Sequence, residues 1–150
     1  MRILVQRVRE ARVEVDQAVV GQIGLGLLVF LGISKEDTTA EAEYLVDKVV
    51  GLRIFPDSEG KMNRSVAEAG GSILIVSQFT LYGDIIRGRR PSFDKAASPE
   101  NARILYDYFV LKAKESGINV QTGKFQASMD VTIHNFGPVT IFCDTFDRSK

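Results

Sequence analysis

The chain has 150 residues, in which 19 Lys+Arg balance 19 Asp+Glu, with one His, one Cys and no Trp. A chain of this length buries about two-thirds of its unfolded surface and suits one domain, so no disulfide or metal staple is needed. The lone Cys143 excludes a disulfide framework and a cysteine zinc site, the lone His134 excludes a zincin pair, and zero net charge argues against bulk coating of nucleic acid while allowing a local basic patch.

Residues 1–8 (MRILVQRV) are too few and too charged for a signal peptide. Ala11, Val13 and Val15 alternate with Arg12, Glu14 and Asp16, the period of a half-buried strand. The run 25–33 is continuously apolar and predicts a strand buried on both faces. It is far shorter than the roughly 18–20 residues of a membrane span, so a cytoplasmic protein is expected. The period then changes. Ala42, Leu45, Val49 and Leu52 recur at steps of three and four, and Thr38 with Glu41 makes a capping box, which predicts a helix over 39–51. Residues 53–55 read as a short strand ended by the turn cluster 56–60, and 72–77 as a second buried strand.

Ser98-Pro99 supplies an N-cap and a proline at the first helical position. Ala102, Leu105, Phe109 and Ala113 form the apolar stripe of that helix, and Gly117 sits where its C-terminus belongs. Strands are expected near 118–121, 126–135 and 139–145. Two helices against about seven strands, without regular βαβ alternation, predict an α+β single domain over 1–150. Its sheet is expected to be mostly antiparallel and barrel-like, with two packed helices.

Three segments carry candidate chemistry. In Ser77-Gln78-Phe79-Thr80-Leu81, polar side chains interrupt a buried strand as it exits, where hydroxyl, amide and backbone N–H groups can converge on a carbonyl or ribose. The plain alternative is a strand-to-loop transition with Thr80 satisfying local backbone. The segment 135–140 holds Gly137-Pro138 between two strand-like runs and reads as a turn; about 5–6% of X–Pro bonds are cis, so residue types alone favour trans. Arg87, Arg89, Arg90 and Lys95, with Phe93 among them, are suited to hold phosphates and stack a base, or else form an ordinary solvated loop. A Ser or Thr nucleophile served by His134 is a fourth reading, which nothing in the spacing supports, and there is no G-x-S-x-G elbow.

These residues resemble the D-aminoacyl-tRNA deacylases (D-tyrosyl-tRNA deacylases) along essentially the whole chain. The likeness runs through residues 1–8, 26–32, 53–55, 61–63, 90–93 and 105–106, and is sharpest at 77–81 (SQFTL) and 137–140 (GPVT). The resemblance implies a homodimer in which each site is completed by the other subunit. Gln78, Phe79 and Thr80 would be catalytic. Ser77, Gln78, Phe79, Thr80, Phe125, Ala127 and Met129 would line the pocket, and a cis Gly137-Pro138 from the partner chain would set chiral selectivity. The implied substrate is the ester of a D-amino acid with the 3′-terminal adenosine of tRNA, glycyl esters included. No cofactor and no metal are expected, and neither DNA nor a membrane is an expected partner.

Arg87, Arg89, Arg90 and Lys95 are the candidate tRNA contacts, with Arg7 structural near the partner's Gly-Pro. The chain departs from the family pattern at Phe136, where an acidic residue is usual, and at Gln126, where a small one is. Two rivals stand beside this reading: an RNA-end-binding module without turnover, and a small-molecule esterase dependent on His134.

Overall fold

The computed structural model describes residues 1–149. Its organising element is β1 (Arg2–Val15), which pairs antiparallel with three other strands. On one side, β3 (Gly26–Gly32) takes its N-terminal half and β2 (Ala18–Ile23) its C-terminal half. On the other side, β8 (Asp130–Asp144) runs along both halves. Asp16 and Gln17, at φ 49° and 67°, join β1 to β2 in a two-residue turn of the kind that matches strand twist.

Beyond β3 the pairing becomes parallel, to β6 (Ser72–Ser77) and then β7 (Val120–Thr122). Parallel neighbours need a crossover. The first contains α1 (Thr39–Gly51) and a small hairpin of β4 (Phe55–Pro56) and β5 (Met62–Arg64); the second contains α2 (Pro99–Glu115). The α+β expectation therefore holds, the sheet being mixed with antiparallel pairings in the majority. Pro56 belongs to the β4 pairing instead of the turn, and Arg53 and Ile54 precede it.

Both helices form where periodicity and caps place them. Thr38 and Glu41 complete the capping box of α1, which buries Ala42, Leu45, Val46 and Val49. Ser98 caps α2, which buries Tyr106, Phe109, Val110 and Ala113, and Gly117 follows at φ 81°. Leu52 lies past the end of α1 in extended backbone, and Ala102 and Leu105 are only half-buried.

The continuous apolar strands are buried on two faces, as expected. Leu27, Leu31, Ile73 and Ile75 pack under the helices, while Leu28, Leu74 and Val76 join Val8, Ala11, Val13 and Ile23 inside the curled sheet. In β1 the helix-side positions Ile3 and Val5 give way to inner positions Ala11 and Val13, because irregular pairing around Val8 shifts the parity. The curl brings β2 against β7. A Cβ on Gly21 would stand 2.2 Å from the Thr122 carbonyl oxygen, so only glycine permits that approach.

The strands expected at 126–135 and 139–145 are one strand, β8, and the 135–140 segment does not reverse the chain. Asn135 and Thr140 face Val8 and Gln6, so residues 136–139 bulge out opposite Arg7. The Asn135 side chain closes the bulge: its Oδ1 accepts from the Val139 N–H at 2.8 Å, and its Nδ2 donates to the Val139 carbonyl at 3.1 Å. The side-chain amide stands in for the missing ladder partner, so β8 continues where sequence reads a turn.

Candidate active site

The polar exit of β6 is built by its neighbour β3. The Gln78 N–H donates to the Leu31 carbonyl at 2.8 Å, and the chain then turns into a 3₁₀ helix, Phe79–Tyr82. The first bonds of that turn are donated by Leu81, to the Gln78 carbonyl at 3.2 Å, and by Gly83, to Thr80 at 2.9 Å. The amides of Phe79 and Thr80 precede these donors and are not consumed by the turn, as expected at a helix start. Gln78 Nε2 donates to Thr80 Oγ1. The Thr80 oxygen therefore faces an amide donor rather than a base.

Parallel pairing makes β6 and β7 leave the sheet at the same end, the usual place for a ligand site in such sheets. The Gly123 N–H donates to the Ile75 carbonyl at 3.1 Å, which sets the residues after β7 beside those after β6. Phe125 packs its ring 5.5 Å from that of Tyr106, whose hydroxyl donates to the Ile75 carbonyl at 3.0 Å. Burial pushes the Tyr106 phenol up to about 12, so it remains a donor. Ala127 is half-buried, and Met129 packs into the inner core cluster. Six of the expected pocket residues thus occur on one end of two adjacent strands, with Met129 behind them.

Phe79 is 56% exposed, and its ring meets Phe93 edge-on at 5.0 Å. That contact ties the basic loop to the site. Asp84 and Ser92 close the loop with reciprocal backbone bonds of 2.8 and 2.9 Å, leaving Arg87, Arg89 and Arg90 exposed at its tip. Lys95 is set apart. It lines a cleft of about 660 Å³ with Asp37, Asp94 and Asp144, a more acidic setting than the arginines occupy.

Gly137-Pro138 is cis. Both residues are exposed, on a loop gripped from below by Arg7 of the same chain. Arg7 Nε donates to the Phe136 carbonyl at 2.7 Å and Nη1 to the Ile54 carbonyl at 2.6 Å, and the Arg7 and Arg9 guanidiniums lie 4.1 and 3.9 Å from the Phe136 ring centroid. Arg7 thus supports the Gly-Pro loop of its own chain. Burial and the neighbouring Arg9 lower the Arg7 pKa from its usual value.

A Cβ on Gly137 would meet the Val139 nitrogen at 2.6 Å and the Val139 Cγ2 at 2.7 Å. Phe136 is what the two arginines hold. The role of Asn135 was not legible beforehand; the one available signal was an Asn directly before an aromatic-Gly-Pro run.

No hydrogen bond, ion pair or ring contact joins Gly137-Pro138 to the 77–80 exit among the described residues. The register explains why. Residues 136–139 face Arg7, Arg7 pairs with Leu27, and Leu27 with Ile73, leaving Ser77 further along β6. At ~4.8 Å per strand and ~3.3 Å per residue, the two motifs stand roughly 14 Å apart across the sheet and 13 Å along it. His134 also lies on β8, exposed and paired to Glu10, three strands from the exit. No cluster of His, Cys, Asp or Glu able to hold a metal occurs among the described residues.

Residues 4–144 match the model of the D-Tyr-tRNA(Tyr) deacylase family. The chain belongs to this family. It is 58% identical over 150 residues to a D-aminoacyl-tRNA deacylase of Solibacter usitatus, covering 100% of this chain and 99% of that one. To the D-aminoacyl-tRNA deacylase of Symbiobacterium thermophilum it is 59% identical over 145 residues, covering 97% and 96%. Among solved structures it resembles the c-Myc DNA Unwinding Element Binding Protein, with a TM-score of 0.90 and 40% identity over 96% of this chain and 98% of that one. A probable eukaryotic D-amino acid tRNA deacylase shares the fold, with a TM-score of 0.78 at 21% identity over 95% and 97% of the two chains. Membership bears out the resemblance read from the 77–81 and 137–140 motifs, and with it the hydrolase class.

Proposed function

We propose that the chain hydrolyses the ester joining a D-amino acid to the 3′-terminal adenosine of tRNA, releasing free amino acid and tRNA. The observation that carries this, beyond family membership, is the β6 exit. It offers two unconsumed amides, at Phe79 and Thr80, and no nucleophile–base pair. Such a site can orient an already activated ester and stabilise the oxyanion formed when water attacks its carbonyl, with the Gln78 amide nearby. One well-placed oxyanion donor contributes about 2.7–4 kcal/mol to the barrier. The ribose 2′-hydroxyl beside the ester helps to activate the water, a role that suits a site poor in bases. A covalent Thr80 adduct is the rival route, disfavoured because the Thr80 oxygen accepts from Gln78.

Chiral selection is assigned to Gly137-Pro138 of a second copy of the chain. Two features support this: the loop is exposed, and it stands far along the sheet from its own chain's exit. In a homodimer its carbonyls would grip the α-amino group, an L side chain would run into the protein wall, and a D side chain would point to solvent. Glycyl esters, lacking a side chain, would pass the same filter. Arg87, Arg89 and Arg90 would hold tRNA phosphates, with Lys95 more remote.

The decisive assay is release of amino acid from D-tyrosyl- and L-tyrosyl-tRNA at substoichiometric protein, with mass spectrometry of the quenched enzyme. Turnover of the D ester alone, without an adduct, is expected. Binding without turnover would leave an RNA-end-binding module, and an aminoacyl group on Thr80 would restore the covalent route. Excess duplex DNA is expected not to compete.

A further inference from the structure

A second cleft, of about 340 Å³, opens beside Phe125 and is lined by Arg103, Tyr106, Asp107, Lys114, Lys124 and Phe125 among others. It arises from helix geometry. Arg103, Tyr106, Asp107, Val110 and Lys114 recur at steps of three and four, so they form one stripe of α2, and Lys124 faces them from the chain after β7. The stripe runs about 16 Å from Arg103 to Lys114.

Three cations meet one carboxylate here. Arg103 Nε donates to Asp107 at 3.1 Å and its guanidinium lies 5.3 Å from the Phe125 ring centroid, whereas Lys114 and Lys124 are exposed and have no ion-pair partner among the described residues. The last-turn position of Lys114 is favourable to the helix but does not neutralise it. The cleft adjoins the strand ends that carry the candidate active site: Phe125 lines it, and so does Gly123, whose N–H donates to the Ile75 carbonyl of β6. A guanidinium lying over an aromatic ring, followed by ammonium groups without ion pairs, is the chemistry that takes single-stranded RNA: a cation–ring platform beside a base, then charges for phosphates.

We infer that this cleft binds the phosphodiesters of the tRNA 3′ strand just upstream of the terminal adenosine, with Lys114 and Lys124 as the phosphate contacts. The inference rests on the deacylase reading, and adds a binding surface on the face of the site away from the 87–90 loop. Neither lysine touches the ester. They hold the strand so that the terminal ribose reaches Phe79 and Thr80.

The test compares Lys114→Glu/Lys124→Glu with Lys114→Arg/Lys124→Arg and the unaltered protein. Each is assayed on D-tyrosyl-tRNA and on 3′-O-D-tyrosyl-adenosine across a salt series, with tRNA affinity measured alongside. Charge reversal is expected to raise KM for the tRNA about tenfold or more with kcat kept. It should also flatten the log–log salt dependence by about 1.4, two phosphates at ~0.7 each for a single strand. The arginine pair should behave as the unaltered protein, and all three should treat the adenosine ester alike. An unchanged KM and salt slope on tRNA would overturn the inference, as would equal losses on both substrates. If the unaltered protein binds D-tyrosyl-tRNA without cleaving it, the deacylase reading fails, and the affinity and salt slope still decide the cleft.

Discussion

Asn135 is the residue on which the Gly-Pro loop hangs, and Asn135→Ala isolates its contribution. The substitution removes an acceptor from the Val139 N–H and a donor from the Val139 carbonyl, bonds of 2.8 and 3.1 Å. At about 0.5–1.5 kcal/mol each, their loss costs about 1–3 kcal/mol. For a chain of this size that corresponds to a fall in Tm of roughly 2–12 °C. The loss is local to residues 136–139, so deacylation of D-aminoacyl-tRNA should fall further than the melting shift alone explains, because the loop no longer presents its carbonyls in one direction.

Asn135→Asp sharpens the argument. It keeps the acceptor but sets a carboxylate against the Val139 carbonyl, which favours the protonated acid in the folded state and raises its pKa. Its stability deficit should therefore narrow as pH falls through that raised value, since the neutral acid regains a donor. Thermal melts across pH and initial deacylation rates check both statements. An Asn135→Ala protein with an unshifted Tm and full activity would refute the claim that this side chain closes the bulge.

Other outcomes follow from the same geometry. Phe79→Pro deletes one amide at the first position of the 3₁₀ turn, where proline is tolerated, and should cost about 10²–10³ in kcat while Phe79→Ala costs far less; equal effects would remove that N–H from the mechanism. His134→Ala should stay within several-fold of the unaltered enzyme in single-turnover rate, and a loss of about 10⁴ would reinstate a triad. A Gly137→Ala chain mixed with a Phe79→Pro chain should recover activity if the loop acts across an interface, because one site of each mixed dimer then carries neither defect; no recovery with mixed dimers confirmed by mass would mean that each chain uses its own loop. Charge reversal at Arg89 and Arg90 should weaken tRNA binding and spare aminoacyl-adenosine, with equal loss on both placing those residues in the pocket.

Local chemistry made the helices and the buried strands legible, because caps and periodicity act within a few residues. Thr38, Glu41, Ser98 and Pro99 do what their types predict, and the apolar segment 72–77 is β6. The misread element was β8. Phe136-Gly137-Pro138 carries a turn signal, and what overrides it is a side-chain amide bonding four residues ahead while β1 pairs on both flanks. Parallel pairing of β3, β6 and β7 was likewise hidden, since two crossovers containing loops and a small hairpin do not read as regular βαβ units. The site divided along the same line. The polar exit at 77–80 could be suspected from residue types, whereas Phe125, Ala127 and Met129 entered only through the family resemblance, and their nearness to Ser77 depends on which strands exit together.

The placement of β1 also bears on how the chain is made. Its residues leave the ribosome well before those of β8, yet Arg2 pairs with Asp144, 142 positions later. Until that last strand emerges, β1 can use only its β2 and β3 side, and its other edge stays open to any extended segment nearby. The β1–β2–β3 meander can form early, but closure of the sheet waits for β8 to emerge and must meet the entropy of a very long loop. Folding should therefore be on the slow side for a domain of this size. Nascent chains stalled before residue 130 should expose the open β1 edge to chaperones, and chains with residue 144 clear of the ribosome should not.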